Sequence, residues 1–217
     1  MNGTNIQPNL VFWENHDQVI SSINELAEEI RNNSSILIVT GFGELYYATK
    51  MYYEGLKAYF NSDANIPEII FAGEHRSGLY INQLIQYIAY KDVYINVISN
   101  SGSVNGPPSA YRLLRAYMER RYSYESTSRV IVTTDGHDDA YKVLATEREN
   151  RTFVIPRIKK PLEISPVGLL PLAVAGCDVE ALQKKREEAS LVLLEDNHEL
   201  STENLYKATK EILSAQK

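Results

Sequence analysis

The sequence predicts a doubly wound α/β fold: a five-stranded parallel sheet with helices on both faces, followed by a C-terminal helical extension. Two observations predict it. Five short runs rich in Ile and Val are apolar without alternation, as strands buried on both faces must be. Segments with apolar residues three and four apart separate those runs, and strand–helix alternation with right-handed crossovers yields a parallel sheet. A chain of 217 residues is long enough to bury a substantial core within one domain.

Residues 1–16 read as a lead-in, 17–177 as the α/β domain and 178–217 as the helical extension. In the first helix, Asp17 to Arg31, Val19, Ile20, Ile23, Leu26, Ala27 and Ile30 form one apolar stripe. Ser35 to Thr40 is the first strand. It ends at Gly41-Phe42-Gly43, and a helix runs on to about residue 60. Glu68 to Ala72, Val93 to Ile98, Arg129 to Thr133 and Thr152 to Ile155 are the remaining strands. Helices over Ser77–Ala89, Pro108–Arg121 and Asp138–Glu147 lie between them. After Pro156 come an apolar helix, Ile164–Gly176, and a charged amphipathic one, Val179–Leu194. Ser201-Thr202-Glu203 caps a last helix through Leu213.

Composition is that of a soluble globular protein, with 44% hydrophobic and 23% charged residues. A net charge of −6 argues against a nucleic-acid partner; Arg112, Arg115, Arg120 and Arg121 read as a solvated helix face. No apolar run reaches the roughly 18 residues of a membrane span, and no basic-then-apolar leader opens the chain. The expectation is a cytoplasmic protein with no membrane contact. One cysteine, Cys177, excludes an internal disulfide framework and a cysteine-built zinc site; its apolar setting reads as a buried helix end. Fifteen tyrosines are many for this length. Tyr46, Tyr47, Tyr52, Tyr53 and Tyr59 cluster on a helix, where such rings pack against another element or form a subunit interface.

In doubly wound sheets ligands bind beyond the carboxyl ends of the strands, near the reversal of strand order. Three such loops stand out: Gly41–Gly43, Gly73–Gly78 and Ser99–Gly106. The third, Ser99-Asn100-Ser101-Gly102-Ser103-Val104-Asn105-Gly106, sets hydroxyls and backbone N–H groups ahead of a helix start. Those are the ingredients of an anion site.

The other motifs carry less. Gly41-x-Gly43 resembles the start of a dinucleotide fingerprint, but Tyr46 occupies the third glycine position and Glu44 would repel an anion. A tight strand-to-helix turn is the simpler reading. His75, between Glu74 and Arg76, reads as an acid–base group or an exposed loop residue. His137, between Asp135 and Asp138, reads as part of a helix N-cap in preference to a metal ligand. His16 and His198 lie away from the ligand edge. No metal and no cofactor is expected.

Five segments carry a family resemblance. Pro67–Gly73, Ile95–Gly102, Val132–Asp135, Thr152–Pro156 and Val167–Gly176 resemble the first sugar-isomerase (SIS) domain of bacterial glucose-6-phosphate isomerase. They occur in order between about residues 36 and 182, and the Val167-Gly168-Leu169-Leu170-Pro171 run is the most specific. The resemblance implies an SIS-type, flavodoxin-like sheet. It also implies that the loop after the third strand holds a sugar phosphate, with Ser99, Asn100, Ser101, Gly102 and Ser103 as ligand-binding residues beside Gly41 and Gly43.

The site departs from the family at several points. Asn100 stands where the family has a lysine, Val104 where it has a phosphate-binding threonine, and Leu45 where it has a sugar-contacting serine. The family's catalytic Gly-Gly-Arg has no aligned counterpart, although Arg157 and Lys160 lie nearby. A hydrogen bond to a charged group contributes about 1.5–3 kcal/mol, so losing the lysine implies a roughly tenfold or greater loss of phosphate affinity.

The resemblance implies further that the glutamate base, the ring-opening histidine and a C-terminal lysine belong to a second domain, and no residue here matches them. No catalytic residue is assigned. The leading expectation is a stand-alone, degenerate SIS domain that binds a sugar phosphate or related anion, or serves as a non-catalytic assembly partner. The alternative is an aldose–ketose isomerase active only in a homo-oligomer or with a partner chain supplying the second domain. A further enzymatic alternative is that Glu74, His75 or Asp135 have taken over the acid–base roles.

Overall fold

The computed structural model describes residues 10–12, 16–41, 43–56, 66–73, 77–99, 109–134, 151–154 and 168–195, with Asn204, Lys207 and Glu211. Strands β1 (Leu10–Phe12), β2 (Ile36–Gly41), β3 (Glu68–Phe71), β4 (Val93–Ser99), β5 (Val130–Thr134) and β6 (Arg151–Val154) form one sheet. Its order is β1-β6-β5-β4-β2-β3, and every neighbouring pair is parallel. The helices are α1 (His16–Asn33), α2 (Glu44–Leu56), α3 (Gly78–Tyr87), α4 (Ser109–Tyr122), α5 (Leu169–Val174) and α6 (Val179–Glu195). A 3-10 turn, Ser123–Thr127, follows α4.

The sheet has six strands where the sequence predicts five. The addition is β1, drawn from the segment read as a lead-in and paired with β6 from Leu10 opposite Thr152 to Phe12 opposite Val154. Three residues are too few to show a period, and only the partner strand reveals them. Strands β2 to β6 fall on the five predicted runs, with β3 as the other edge of the sheet. The helices predicted over 138–147 and 201–213, and the start of the one predicted from Ile164, lie outside the described residues.

Every position of β2 is buried, because both faces of the sheet are covered. Leu37 and Val39 join Tyr94, Ile98 and Ile131 under α1, α2, α5 and α6. Ile36 and Ile38 join Val93, Ile95, Val97 and Val132 in the layer that holds Leu84 of α3 and Leu114 of α4. The predicted stripe of α1, Val19 to Ile30, is buried throughout. Arg31 closes the same helix onto α5 by donating to the Ala173 carbonyl at 2.7 Å, which also accepts the Gly176 N–H at 2.9 Å.

The arginine face of α4 is only partly solvated. Arg115 is buried and pairs with Glu119 at 2.8 Å. Arg121 donates to the Ala89 carbonyl just past α3. Beside it, the Tyr117 hydroxyl donates to Ile88 O at 3.1 Å and the Tyr122 hydroxyl accepts Val93 N–H at 3.0 Å. Residues near the end of α4 therefore satisfy the backbone of the α3–β4 turn.

Candidate functional site at the switch point

Strand β2 pairs with β3 on one side and β4 on the other, so the strand order reverses between β2 and β4. Helix α2 leaves β2 toward one face, and α4 leaves β4 toward the other. A crevice at the carboxyl ends of β2 and β4 follows from that divergence. The register sets Gly41 opposite Ile98, one residue before Ser99, and Ser99 opposite Thr134. Gly41, Gly43 and Ser99 are thus brought to one edge. Asn100, Ser101, Gly102 and Ser103 lie outside the described residues, as do Glu74, His75, Asp135 and His137.

The glycines are dictated by the backbone. Gly41 has φ 154° and Gly43 φ 88°, conformations that favour glycine. A Cβ on Gly41 would strike the Ile98 carbonyl oxygen of β4. Gly73, just past β3, is equally confined: a Cβ there would strike the Gly41 oxygen and lie 2.9 Å from Cζ of Tyr46. The ends of β2, β3 and β4 therefore touch backbone to backbone.

Tyr46 fills this edge from α2. It is fully buried, its hydroxyl accepts the Gly73 N–H at 2.9 Å, and its ring meets Phe71 edge-on at 5.7 Å. A third glycine would have allowed helix and strand to approach closely around a pyrophosphate; the ring occupies that position instead. The dinucleotide reading fails on this geometry. Leu45, where the resemblance implies a sugar-contacting serine, packs half-buried against the core.

Two buried polar side chains were missed, because each sits inside a run that reads as apolar. Asn96 on β4 donates to Ile131 O at 3.3 Å and to Thr133 Oγ1 at 3.2 Å, while its Oδ1 has no partner. Thr40, one residue before Gly41, is fully buried, and its Oγ1 also has no partner. Across the crevice α4 begins at Ser109 with no acidic residue in its first turn, so the positive end of its dipole is not neutralised locally. Among the described residues no group of three His, Cys, Asp or Glu could hold a metal. Among them also, no helix is long and apolar enough to cross a membrane.

Comparison with known proteins bears on the motif resemblance directly. No family model matches the chain. Glucose-6-phosphate isomerases of Staphylococcus aureus strains Mu3 and Newman are each 39% identical to it over 184 residues, which is 82% of the chain. This chain is similar to part of a glucose-6-phosphate isomerase. It spans 42% of the length of those relatives.

The crystal structure of a hypothetical protein from Thermus thermophilus superposes with a TM-score of 0.64 at 20% identity, covering 92% of this chain and 46% of that one. The fold is shared. The similarity to glucose-6-phosphate isomerase therefore supports a sugar-isomerase-like SIS domain. Within the Val167–Gly176 motif, packing accounts for Gly168: a Cβ there would strike Thr49 Oγ1 of α2.

Proposed function

We propose that this domain binds a phosphorylated sugar or a related anion at the edge between β2 and β4. Ser99, Ser101, Gly102 and Ser103 form the ligand loop, Asn100 is a neutral hydrogen-bonding member, and Gly41 and Gly43 make the floor. The observation that carries the reading is the register that sets Gly41 beside the end of β4 at the reversal of strand order. Similarity to glucose-6-phosphate isomerases, which act on a sugar phosphate, supports the ligand class. The domain binds without turnover in this reading, as an SIS-type module within a homo-oligomer or a larger assembly.

Isothermal titration with glucose 6-phosphate and other hexose phosphates tests it. Saturable heat is expected, weakened by Ser101→Ala. Asn100→Lys is expected to tighten binding by about tenfold or more, since a charge-assisted hydrogen bond is regained. Absence of heat at millimolar ligand overturns the proposal.

A second reading, aldose–ketose isomerisation completed by a partner chain or a second copy, is favoured by the 39% identity to isomerases. Proton transfer between C1 and C2 needs a positioned base. A coupled assay for conversion of glucose 6-phosphate to fructose 6-phosphate separates the readings: turnover that Ser101→Ala abolishes would select this one.

A further inference from the structure

Three neighbouring strands bring hydroxyl residues to one face of the ligand edge. Ile36 and Ile38 of β2, Ile95 and Val97 of β4, and Val130 and Val132 of β5 pack in the layer under α3 and α4. Residues alternate between the faces of a sheet, so Thr40, Ser99 and Thr134 take the next positions on that same face. Thr40 stands opposite Val97, and Ser99 opposite Thr134. By strand geometry the Cα atoms of Thr40 and Ser99 are roughly 8 Å apart. A tetrahedral oxyanion spans such a gap when a hydroxyl donates to it from each side.

Within this row the hydroxyl of Thr40 is left unexplained by the fold. It is fully buried, and its Oγ1 has no hydrogen-bond partner. An unpaired buried hydroxyl costs stability, and valine would fill the same space without it, as Val97 does across from it. Thr49 is the contrast: also buried, its hydroxyl is used within α2 by the Leu45 carbonyl. A polar group kept at such a cost beside a ligand edge points to a partner that arrives from outside the chain.

Helix α4 identifies the chemistry of that partner. Tyr111, Leu114 and Met118 pack in the same layer as Ile36 and Ile38, and the helix runs back from the carboxyl end of β4. Its start at Ser109 therefore lies at the edge that Thr40 and Ser99 share. The first N–H groups of a helix have no partner within it, and no residue of this first turn is acidic. An anion satisfies a hydroxyl donor and the positive end of a helix together.

We infer that Thr40 is a specificity-determining residue of this site: its Oγ1 donates to the phosphoryl group of the bound sugar phosphate, on the α4 side of the sheet. The inference rests on the ligand reading proposed above, and adds to it a residue of β2 and the face from which the phosphoryl group is held. The hydroxyl is unsatisfied in the free chain because the ligand supplies its acceptor. Stability and affinity therefore respond to Thr40 with opposite signs, which a purely structural hydroxyl does not produce.

Isothermal titration of the full chain with glucose 6-phosphate, with a urea midpoint for each variant, tests this. Thr40→Val is expected to raise the midpoint and to weaken binding by about tenfold or more, the loss of a hydrogen bond to a charged group. Thr40→Ser keeps the hydroxyl and gives up a buried methyl, so it is expected to lower the midpoint and retain the binding that Thr40→Val loses. If Thr40→Val does not fold, Thr40→Ser against Thr40→Ala isolates the same hydroxyl. Equal affinity in Thr40→Val and the unmodified chain overturns the role of Thr40 and leaves the ligand reading standing. Weaker binding with a lowered midpoint in Thr40→Val means that a water already satisfies the hydroxyl, and overturns that role too, as does loss of binding in Thr40→Ser. Absence of heat from the unmodified chain at millimolar glucose 6-phosphate overturns the ligand reading, and this inference with it.

Discussion

The Tyr46 hydroxyl accepts the amide hydrogen of Gly73 at 2.9 Å, tying the first turn of α2 to the end of β3 at the edge where a ligand would sit. The residue that departs from a dinucleotide fingerprint thus holds two of the three strand ends together. Tyr46→Phe keeps the ring against Phe71 but strands a partly buried N–H. The expected cost is about 1–2 kcal/mol, read as a lower urea midpoint with an unchanged m-value. An unchanged midpoint would show that water satisfies Gly73 as well as the tyrosine does.

Gly168 faces Thr49, whose hydroxyl donates to Leu45 O at 2.7 Å within α2. Gly168→Ala inserts a methyl where the helices leave no room, and overpacking of this kind costs about 1–3 kcal/mol. Thr49→Ala in the same chain removes the obstructing atom. The double variant is therefore expected to be more stable in urea than the sum of the single losses allows.

Thr40 carries a buried hydroxyl with no partner. Thr40→Val keeps the shape and removes the unsatisfied group, so stability is expected to rise by about 1 kcal/mol. A fall would mean that the hydroxyl is satisfied in solution by a bound water.

Burial raises the pKa of the Cys177 thiol. The folded chain therefore keeps this proton at pH values where the unfolded chain has released it. Stability from this group is fully present below the unfolded thiol's pKa and is lost as pH rises toward the folded value. Iodoacetamide labelling is expected to reach half its maximal rate at a higher pH than for a peptide thiol. Labelling at the peptide's pH would place the sulfur in contact with solvent.

The inner sheet was legible because burial on both faces writes itself into β2, β4 and β5 as largely apolar runs. The edge was not: β1 consists of Leu10, Val11 and Phe12, and nothing local separates it from a coil. Periodicity placed Arg115 and Arg121 on a solvated face, since it describes one helix at a time. It cannot see that Glu119 pairs with the first or that the end of α3 needs the second. The meeting of Gly41, Gly43 and Ser99 at one edge followed from strand order. The role of Tyr46 did not, because a missing glycine says nothing about what its replacement will touch. The role of Asn96 was hidden for a related reason: one polar residue in an apolar run does not tell which carbonyl or hydroxyl of the neighbouring strand, here Ile131 O and Thr133 Oγ1, it will reach.

The pairing of β1 with β6 joins segments far apart in the sequence, Leu10 opposite Thr152, for only three residue pairs. Closing so long a loop has a large entropic cost and returns little until β6 is itself in place. The edge strand therefore docks late in folding and is the first part of the sheet to detach. In native-state hydrogen exchange, the amides that join β1 to β6 open by local fraying. Those between β2 and β4 wait for the whole molecule to unfold.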